Sequence, residues 1–159
     1  MDEFVSTFTN RLDAKGRVSI PAPFRAVLAK DGFDGLYCCQ TLDQQAVDAG
    51  GNLFRERIRE LLARYPAFSP DHDYLSTTLA GDSEILKIDP DGRVVLSDKI
   101  RDYAGIADQV TFVGQIYKFQ IWEPQRFNAY RDEAKARLRA LRQAEPGHRA
   151  VSADSGASG

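Results

Sequence analysis

The chain has 159 residues, of which 43% are hydrophobic and 28% are charged, and its formal net charge is −2. This composition is typical of a soluble globular protein with one ordinary domain or two small ones, and it excludes a strongly basic nucleic-acid-binding protein. Any binding to nucleic acid must therefore depend on a local cluster of basic side chains, such as those that lie between Arg11 and Arg25 beside a single acid.

The N-terminal residues predict a hairpin followed by a short helix. Residues 4–9 form a candidate strand, and Gly16 lies in a turn where a positive φ carries no Cβ penalty, so a tight hairpin is expected there. Residues 17–20 form the return strand, with two apolar side chains on one face and two polar ones on the other. Pro21 and Pro23 end the strand and favour the start of a helix.

The middle of the chain predicts a buried strand and two helices. The strand covers residues 36–39, and the Asp-Ala-Gly-Gly sequence over 48–51 is expected to break whatever structure precedes it. Apolar residues at helical spacing predict a helix over 52–65. A second, shorter helix is expected to run to residue 79 with Asp71 as its N-cap.

The C-terminal half predicts a similar strand-turn-strand-helix order and then a long helix. The predicted elements are a strand over 84–89, a turn at 90–92, a helix over 98–103 capped by Ser97, strands over 109–113 and 117–122, and a charged helix over 124–143. The residues after Pro146 are rich in Ser, Gly and Ala, and are expected to be disordered.

One sequence motif occurs twice. Residues 13–21 read Asp-Ala-Lys-Gly-Arg-Val-Ser-Ile-Pro, and residues 89–97 read Asp-Pro-Asp-Gly-Arg-Val-Val-Leu-Ser. Aspartate, glycine, arginine and the alternating apolar residues recur at one constant offset, which continues to Arg25 and Arg101. Two copies this far apart do not make a solenoid and instead indicate one small module that is used twice.

Neither a metal site nor a cofactor site is predicted. Cys38 and Cys39 are the only cysteines, and adjacent residues of a strand point to opposite faces, so we expect two small buried side chains and no disulfide. Zinc needs about four ligands, and no Gly-rich phosphate-binding loop is present. No signal sequence is visible, and no apolar run approaches the roughly 20 residues that span a bilayer. A cytoplasmic protein with reduced thiols is expected.

The two motif copies, together with Tyr103-Ala-Gly-Ile106 and Val113-Gly-Gln-Ile-Tyr-Lys-Phe-Gln-Ile-Trp122, resemble the MraZ family. The resemblance implies an α+β fold in which two tandem AbrB-like (SpoVT-type) swapped-hairpin modules pack as an intrachain pseudo-dimer. The implied domains are module 1 over 7–54, a helical connector over 55–82, module 2 over 83–126, a C-terminal helix over 127–145 and a disordered tail over 146–159.

Members of that family are bacterial transcriptional regulators encoded at the head of the division and cell-wall gene cluster. The resemblance therefore implies sequence-specific binding of double-stranded promoter DNA, at direct repeats upstream of that cluster and including the chain's own promoter, with repression as the expected outcome. It also implies a homo-oligomeric ring of several protomers in the cytoplasm, associated with the nucleoid, with no membrane, no cofactor and no enzymatic activity.

The expected DNA-binding residues are Asp13, Lys15 and Arg17 in the first copy, and Asp89 and Arg93 in the second. The aspartates and arginines are assigned by the resemblance, because they match the Asp-x-x-x-Arg pair that the family shares. The Arg17 guanidinium has a planar fork of donors that fits guanine O6 and N7. Lys15 suits phosphates, which position a protein without reading sequence, and Asp13 can hold the Arg17 guanidinium in one orientation. The second copy has an aspartate in place of the lysine, so the two hairpins are not expected to bind DNA equally.

Two other kinds of function stay open on the sequence alone. An enzyme would use His72 and Asp73 near Ser69, although no Gly-rich elbow or oxyanion device accompanies them. A protein-binding scaffold or an antitoxin-like module would use the apolar stripes of the connector and C-terminal helices, which could equally pack against the modules or a neighbouring protomer. An Asp–Arg pair at a turn is also often only a surface ion pair worth about 0–1 kcal/mol.

Overall fold

The computed structural model describes residues 2–145, so the predicted disorder of residues 146–159 lies outside the described residues. Over the described range the chain has an α+β fold with antiparallel sheets. The strands are β1 (Thr7–Arg11), β2 (Arg17–Ser19), β3 (Leu36–Gln40), β4 (Val47–Gly50), β5 (Glu84–Leu86), β6 (Arg93–Val95), β7 (Gln109–Gly114) and β8 (Phe119–Trp122). The α-helices are α1 (Ala22–Asp31), α2 (Asn52–Leu62), α3 (Pro70–Ser76), α4 (Asp98–Ala104) and α5 (Pro124–Ala144).

The chain divides into two compact units, with the boundary after Pro124. All eight strands and helices α1 to α4 belong to the first unit. The second unit contains α5, which confirms the predicted long helix and carries an ion pair between Arg137 and Glu133 one turn apart. Two members of its predicted apolar stripe, Leu138 and Leu141, are more than half exposed.

Six strands form one antiparallel sheet in the order β1-β7-β8-β4-β3-β5. Each of its two faces buries a different cluster, because successive side chains of a strand point in opposite directions. Cys38 lies in the larger core with Phe24, Phe112 and Phe119, whereas Cys39 lies on the other face. The prediction of two buried cysteines on opposite faces is confirmed.

The second face of the sheet is covered by α2, α3 and the π-helical turn Thr77–Gly81 that follows α3. Phe54 and Leu79 supply its buried side chains. Helix α2 begins beside Asp31, whose carboxylate accepts the backbone amides of Asn52 and Leu53 at 2.6 and 3.0 Å. The acid thus satisfies two of the amide donors that every helix start leaves without a partner. Within the described part of the chain, every helix is too short or too polar to span a lipid bilayer.

Strands β2 and β6 form a separate two-stranded ribbon, one strand from each copy of the repeat. Its register is symmetric, with the Cα partners Arg17–Val95, Val18–Val94 and Ser19–Arg93. The hydrogen bonds beyond the strands match as well, since Ile20 donates to the Gly92 carbonyl at 3.0 Å and Leu96 donates to the Gly16 carbonyl at 3.1 Å. The two copies of the motif are therefore related by an internal two-fold axis through the middle of the ribbon.

The predicted tight hairpin between residues 4–9 and 17–20 is wrong. The turn itself is present, but β1 pairs with β7 from the second half of the chain, and β2 pairs with β6. On the symmetric side, β5 pairs with β3 from the first half. The exchange has a physical reason in the apolar inner face of the ribbon, where Val18 and Val94 are each 1% exposed and pack into the larger core.

Three other element predictions need correction. The first strand begins at Thr7 instead of Phe4, because Ser6 has a φ of 79° that interrupts extended structure. The Asp-Ala-Gly-Gly sequence does not break the sheet, because its first three residues belong to β4, between β3 and β8. The N-cap of α3 is Ser69 and not Asp71, since the Ser69 hydroxyl accepts the His72 amide at 3.2 Å.

Candidate nucleic-acid interface

The first turn is organised around the carboxylate of Asp13. One carboxylate oxygen accepts the backbone amides of Lys15 and Arg17 at 2.9 and 2.8 Å, and the other accepts Nε of Arg17 at 2.6 Å. The turn is closed by backbone hydrogen bonds, and Gly16 has a φ of 76°, which favours glycine. Within residues 2–145, the Nη1 and Nη2 atoms of Arg17 have no hydrogen-bond or ion-pair partner. The predicted Asp13–Arg17 pair is thus present, and the terminal fork of the guanidinium stays open.

The second turn repeats this geometry around Asp89. Its carboxylate accepts the amides of Asp91 and Arg93, each at 2.9 Å, and Nε of Arg93 at 2.9 Å. Gly92 has a φ of 78°. One contact differs from the first turn, since Nη2 of Arg93 also donates to the Asp91 carboxylate at 3.2 Å. This leaves Nη1 as the one guanidinium nitrogen of Arg93 without a partner among the described residues.

These hydrogen bonds lower the pKa of both aspartates below the ordinary value of 3.8. The main cause is the backbone amide of Arg17 for Asp13 and of Arg93 for Asp89, and the paired guanidinium contributes less. Because the pKa is lower in the folded state than in the unfolded state, each carboxylate stabilises the fold fully above the unfolded pKa of about 4. That contribution is lost as the pH falls further, through the folded value.

We expect Arg17→Ala to leave the pKa of Asp13 below 3.8. The substitution removes the guanidinium but keeps the backbone amide that is the largest cause of the shift. Titration of the side-chain carboxyl carbons by NMR measures this directly, with Asp89 in the same sample as the internal control. A pKa of Asp13 that returns to the ordinary value in this variant would show that the guanidinium, and not the backbone, holds the carboxylate ionised.

The five predicted site residues lie at opposite ends of the ribbon. Asp13, Lys15 and Arg17 share one turn, and Asp89 and Arg93 share the other, because each turn leads into one of two antiparallel strands. Both arginines point to the outer face of the ribbon, where their side chains keep 30% and 31% of their accessible surface. The two arginines are therefore accessible in this chain.

Two further residues share that outer face. Ser19 pairs with Arg93, and Val95, which is 53% exposed, pairs with Arg17. The sequence interpretation placed Ser19 beside Arg17 on one face of its strand but did not assign it to the site. It also did not join the two strands into one ribbon. The alternation of the repeated motif could have identified all four outer residues once the pairing of β2 with β6 was known.

An arginine from the helix of the other copy lies beside each turn. Nη1 of Arg25 donates to the carbonyl of Asp91 at 2.9 Å. On the symmetric side, the guanidinium of Arg101 lies 3.8 Å from the position that a Cβ on Gly16 would occupy, and it pairs with Asp98. The sequence left the role of these two arginines open, and the structure gives Arg25 a hydrogen bond across the two-fold axis and places Arg101 beside the first turn.

We expect Gly92→Ala to destabilise the protein more than Gly32→Ala. Both glycines have a positive φ, 78° and 80°, so each alanine costs about 1–2 kcal/mol of backbone strain. A Cβ on Gly92 would also lie 2.2 Å from Nη1 of Arg25, whereas a Cβ on Gly32 has nothing within 4 Å. Moving Arg25 away gives up its hydrogen bond, which adds about 1 kcal/mol. Urea unfolding measures the difference, and equal losses in the two variants would contradict the bracing contact.

The other candidate sites from the sequence have structural explanations. The hydroxyl of Ser69 caps α3, and the Ser76 hydroxyl lies 3.4 Å from Nδ1 of His72. Burial raises the pKa of Cys39 to about 12 and that of Cys38 well above its ordinary range, so both are held as thiols. In residues 2–145, no group of three or more His, Cys, Asp or Glu side chains is placed to hold a metal ion.

Comparison with known proteins identifies relatives over most of the chain. A family model described as "MraZ protein", with the addition "antitoxin-like", matches residues 79–145. "Transcriptional regulator MraZ" of Beijerinckia indica subsp. indica is 60% identical over 89% of this chain and 87% of its own length. The protein of the same name from Xanthobacter autotrophicus is 59% identical over 91% and 92%, and that from Rhizobium johnstonii is 43% identical over 85% and 93%. The chain belongs to the MraZ family.

Proposed function

We propose that this protein is a sequence-specific DNA-binding transcriptional regulator that acts as a repressor. The observation that carries the proposal is an accessible two-stranded ribbon whose outer face holds Arg17, with the terminal nitrogens of its guanidinium open. A two-stranded β-ribbon fits the major groove of B-DNA. The relatives named "Transcriptional regulator MraZ" support the same class of function.

The proposed fold is a tandem pair of AbrB-like modules packed as an intrachain pseudo-dimer. Module 1 covers residues 7–54 and module 2 covers residues 83–126, with a helical connector over 55–82 between them. The symmetric β2–β6 register and the exchanged pairs β1–β7 and β3–β5 support this assignment. In such a pair, each module completes the other, so neither is expected to fold alone.

In the proposed complex, Arg17 donates from Nη1 and Nη2 to O6 and N7 of a guanine. Asp13 holds Nε at 2.6 Å, which fixes the plane of the guanidinium before DNA arrives and reduces the entropy lost on binding. Lys15 is exposed at the tip of the turn and would contact a phosphate, which positions the ribbon but reads no base. At the other end of the ribbon, Asp89 holds Nε of Arg93 in the same way, and Arg93, with Nη1 open, would form a weaker contact that reads no base.

A single protomer has few basic groups at this surface and a formal net charge of −2, so tight binding needs several protomers on one DNA. We therefore propose a homo-oligomeric ring in which successive protomers bind successive direct repeats. Linked sites make the later contacts intramolecular, with gains of roughly 10²–10⁴ in affinity. The proposed DNA target lies upstream of the division and cell-wall gene cluster and includes the promoter of the chain's own gene.

The test is the affinity of the purified protein for DNA from the region upstream of its own gene, with one, two or three repeats retained. We expect affinity to rise steeply from one repeat to three, and a scrambled duplex of equal length to bind weakly. Equal affinity for one repeat and three would contradict binding by several protomers. Equal affinity for the scrambled duplex would contradict sequence-specific recognition.

A second candidate function is protein binding through the connector, and the partner it favours is a second copy of this chain. Phe68 is fully exposed on the loop before α3, and Tyr74 is 67% exposed on that helix. Contiguous exposed apolar patches mark sites of protein interaction, and this candidate function supposes that the two aromatic side chains belong to one such patch. Light scattering of Phe68→Ser would test this, since loss of the oligomer is expected if the loop joins protomers, and an unchanged mass would contradict it.

A further inference from the structure

We propose that Asp91 keeps the second turn from reading DNA, so that each protomer engages DNA chiefly through the Lys15 turn. This inference rests on the proposed function, because it concerns which of the two turns does the binding. It assigns to Asp91 the role of a specificity-determining residue that closes the guanidinium of Arg93 and repels phosphate.

The guanidinium groups of Arg17 and Arg93 differ in how many of their nitrogens are already bound. Nε of Arg17 and Nε of Arg93 are bound in the same way, by Asp13 and Asp89. Only Arg93 has a second carboxylate, because Nη2 also donates to Asp91 at 3.2 Å. Bidentate recognition of guanine needs two donors side by side. The fork of Arg17 offers such a pair, and the fork of Arg93 would first have to break its contact with Asp91.

The two turns also differ in net charge. The first turn holds Asp13, Lys15 and Arg17 and has a net charge of +1, whereas the second holds Asp89, Asp91 and Arg93 and has a net charge of −1. The side chain of Asp91 is 76% exposed, so its charge faces whatever approaches the turn. A carboxylate at the tip repels a phosphate backbone, where the first turn presents an ammonium group.

Arg25 and Arg101 reduce the difference in charge between the two turns but do not remove it. Arg25 donates to the carbonyl of Asp91 and adds a positive charge beside the second turn. Arg101 lies beside the first turn, but its charge is balanced by Asp98. With these groups included, the first turn remains the more positive of the two. The hydrogen bond from Arg25 also holds the backbone carbonyl of Asp91, which keeps this residue at the tip of the turn.

The experiment compares Asp91→Lys with wild type on the three-repeat upstream DNA over a range of salt concentrations. A lysine there restores the pattern of the first turn and frees Nη2 of Arg93. We expect a gain in affinity of at least about fivefold for each protomer that binds a repeat, and these gains combine on the three-repeat DNA. We also expect a slope of log affinity against log salt that is steeper by about 1 for each added phosphate contact. The control is Asp132→Lys, which makes the same change of charge at an exposed position of α5, in the other compact unit.

A double-mutant comparison tests whether the Arg93 guanidinium is the group that gains the contact with DNA in Asp91→Lys. Arg93→Ala should weaken binding at least fivefold more in the Asp91→Lys background than in wild type, because only there is its fork open. If Asp91→Lys gains no more affinity than Asp132→Lys, or if Arg93→Ala has the same effect in both backgrounds, the inference is overturned. That outcome is distinct from failure of the proposed function, in which Arg17→Ala would bind the repeats as well as wild type.

Discussion

Arg17→Ala should reduce the affinity for the upstream repeats by about 1–3 kcal/mol for each turn that engages DNA. The substitution removes the open guanidinium fork that we assign to guanine. Because several turns bind one DNA in the proposed oligomer, the losses combine, and binding at three repeats should fall by far more than tenfold. Fluorescence anisotropy with labelled duplexes measures the loss. The variant should also discriminate less between guanine and other bases at the contacted position.

Two controls separate this effect from a change in fold. The ion pair between Arg17 and Asp13 is partly exposed, so its loss should leave the unfolding midpoint close to that of wild type. Lys15→Ala should lower affinity for specific and scrambled duplexes alike and reduce the salt slope by about 1 for each turn that engages DNA. Tight, guanine-selective binding by Arg17→Ala, with an unchanged unfolding midpoint, would contradict the assignment.

Lys118→Met should lower the free energy of unfolding by about 3 kcal/mol, near the low end of the 3–5 kcal/mol found when one partner of a buried pair is removed. Nζ of Lys118 lies 2.6 Å from the carboxylate of Asp48, and the two side chains are only 15% and 14% exposed. The variant leaves Asp48 nearly buried without its cation. The low end is expected because the amide of Gln120 still donates to the same carboxylate at 2.9 Å.

The control for this prediction is the double variant Asp48→Asn, Lys118→Met. It removes both charges and keeps an oxygen that can accept from Gln120, so it should recover most of the lost stability. Chemical unfolding followed by the fluorescence of Trp122, the only tryptophan, reports both variants. Its indole donates to Gln120 at 2.9 Å and so belongs to the same network. A loss below 1 kcal/mol for Lys118→Met would contradict the view that this pair is a buried charge pair.

The local chemistry of the candidate site could be predicted from the sequence, but its assembly could not. The Asp13–Arg17 pair and the turn at Gly16 follow from residues a few positions apart, and the structure contains both. The pairing of β2 with β6 depends on contacts between distant parts of the chain, which no local pattern encodes. A hairpin is the shortest connection between two candidate strands, and the exchanged pairing is preferred because it buries the inner face of the ribbon.

The break predicted over residues 48–51 is wrong because polar residues and glycines can lie in a strand when the fold supplies partners for them. Asp48 and the two glycines after Ala49 indicated a break, because such residues are depleted in strands. In the fold, Lys118 compensates the charge of Asp48, and Gly50 makes room for Phe54, whose Cβ would lie 2.7 Å from an added Cβ. Lys118 is distant from Asp48 in the sequence, and Phe54 belongs to the helix that follows Gly50. The hydrogen bond from Nη2 of Arg93 to Asp91 could not be predicted from the sequence either, because it depends on the conformation of the Asp91 side chain.

The most direct test of the account replaces a single nitrogen of one DNA base by carbon. After the protein's footprint on the upstream region has been mapped, 7-deazaguanine, which lacks the N7 acceptor, replaces each guanine of one repeat in turn. We expect one substitution per repeat to weaken wild-type binding clearly and to have no effect on Arg17→Ala, because N7 and the Arg17 guanidinium form the same contact. An equal loss in wild type and Arg17→Ala at every position would contradict the claim that Arg17 reads the base.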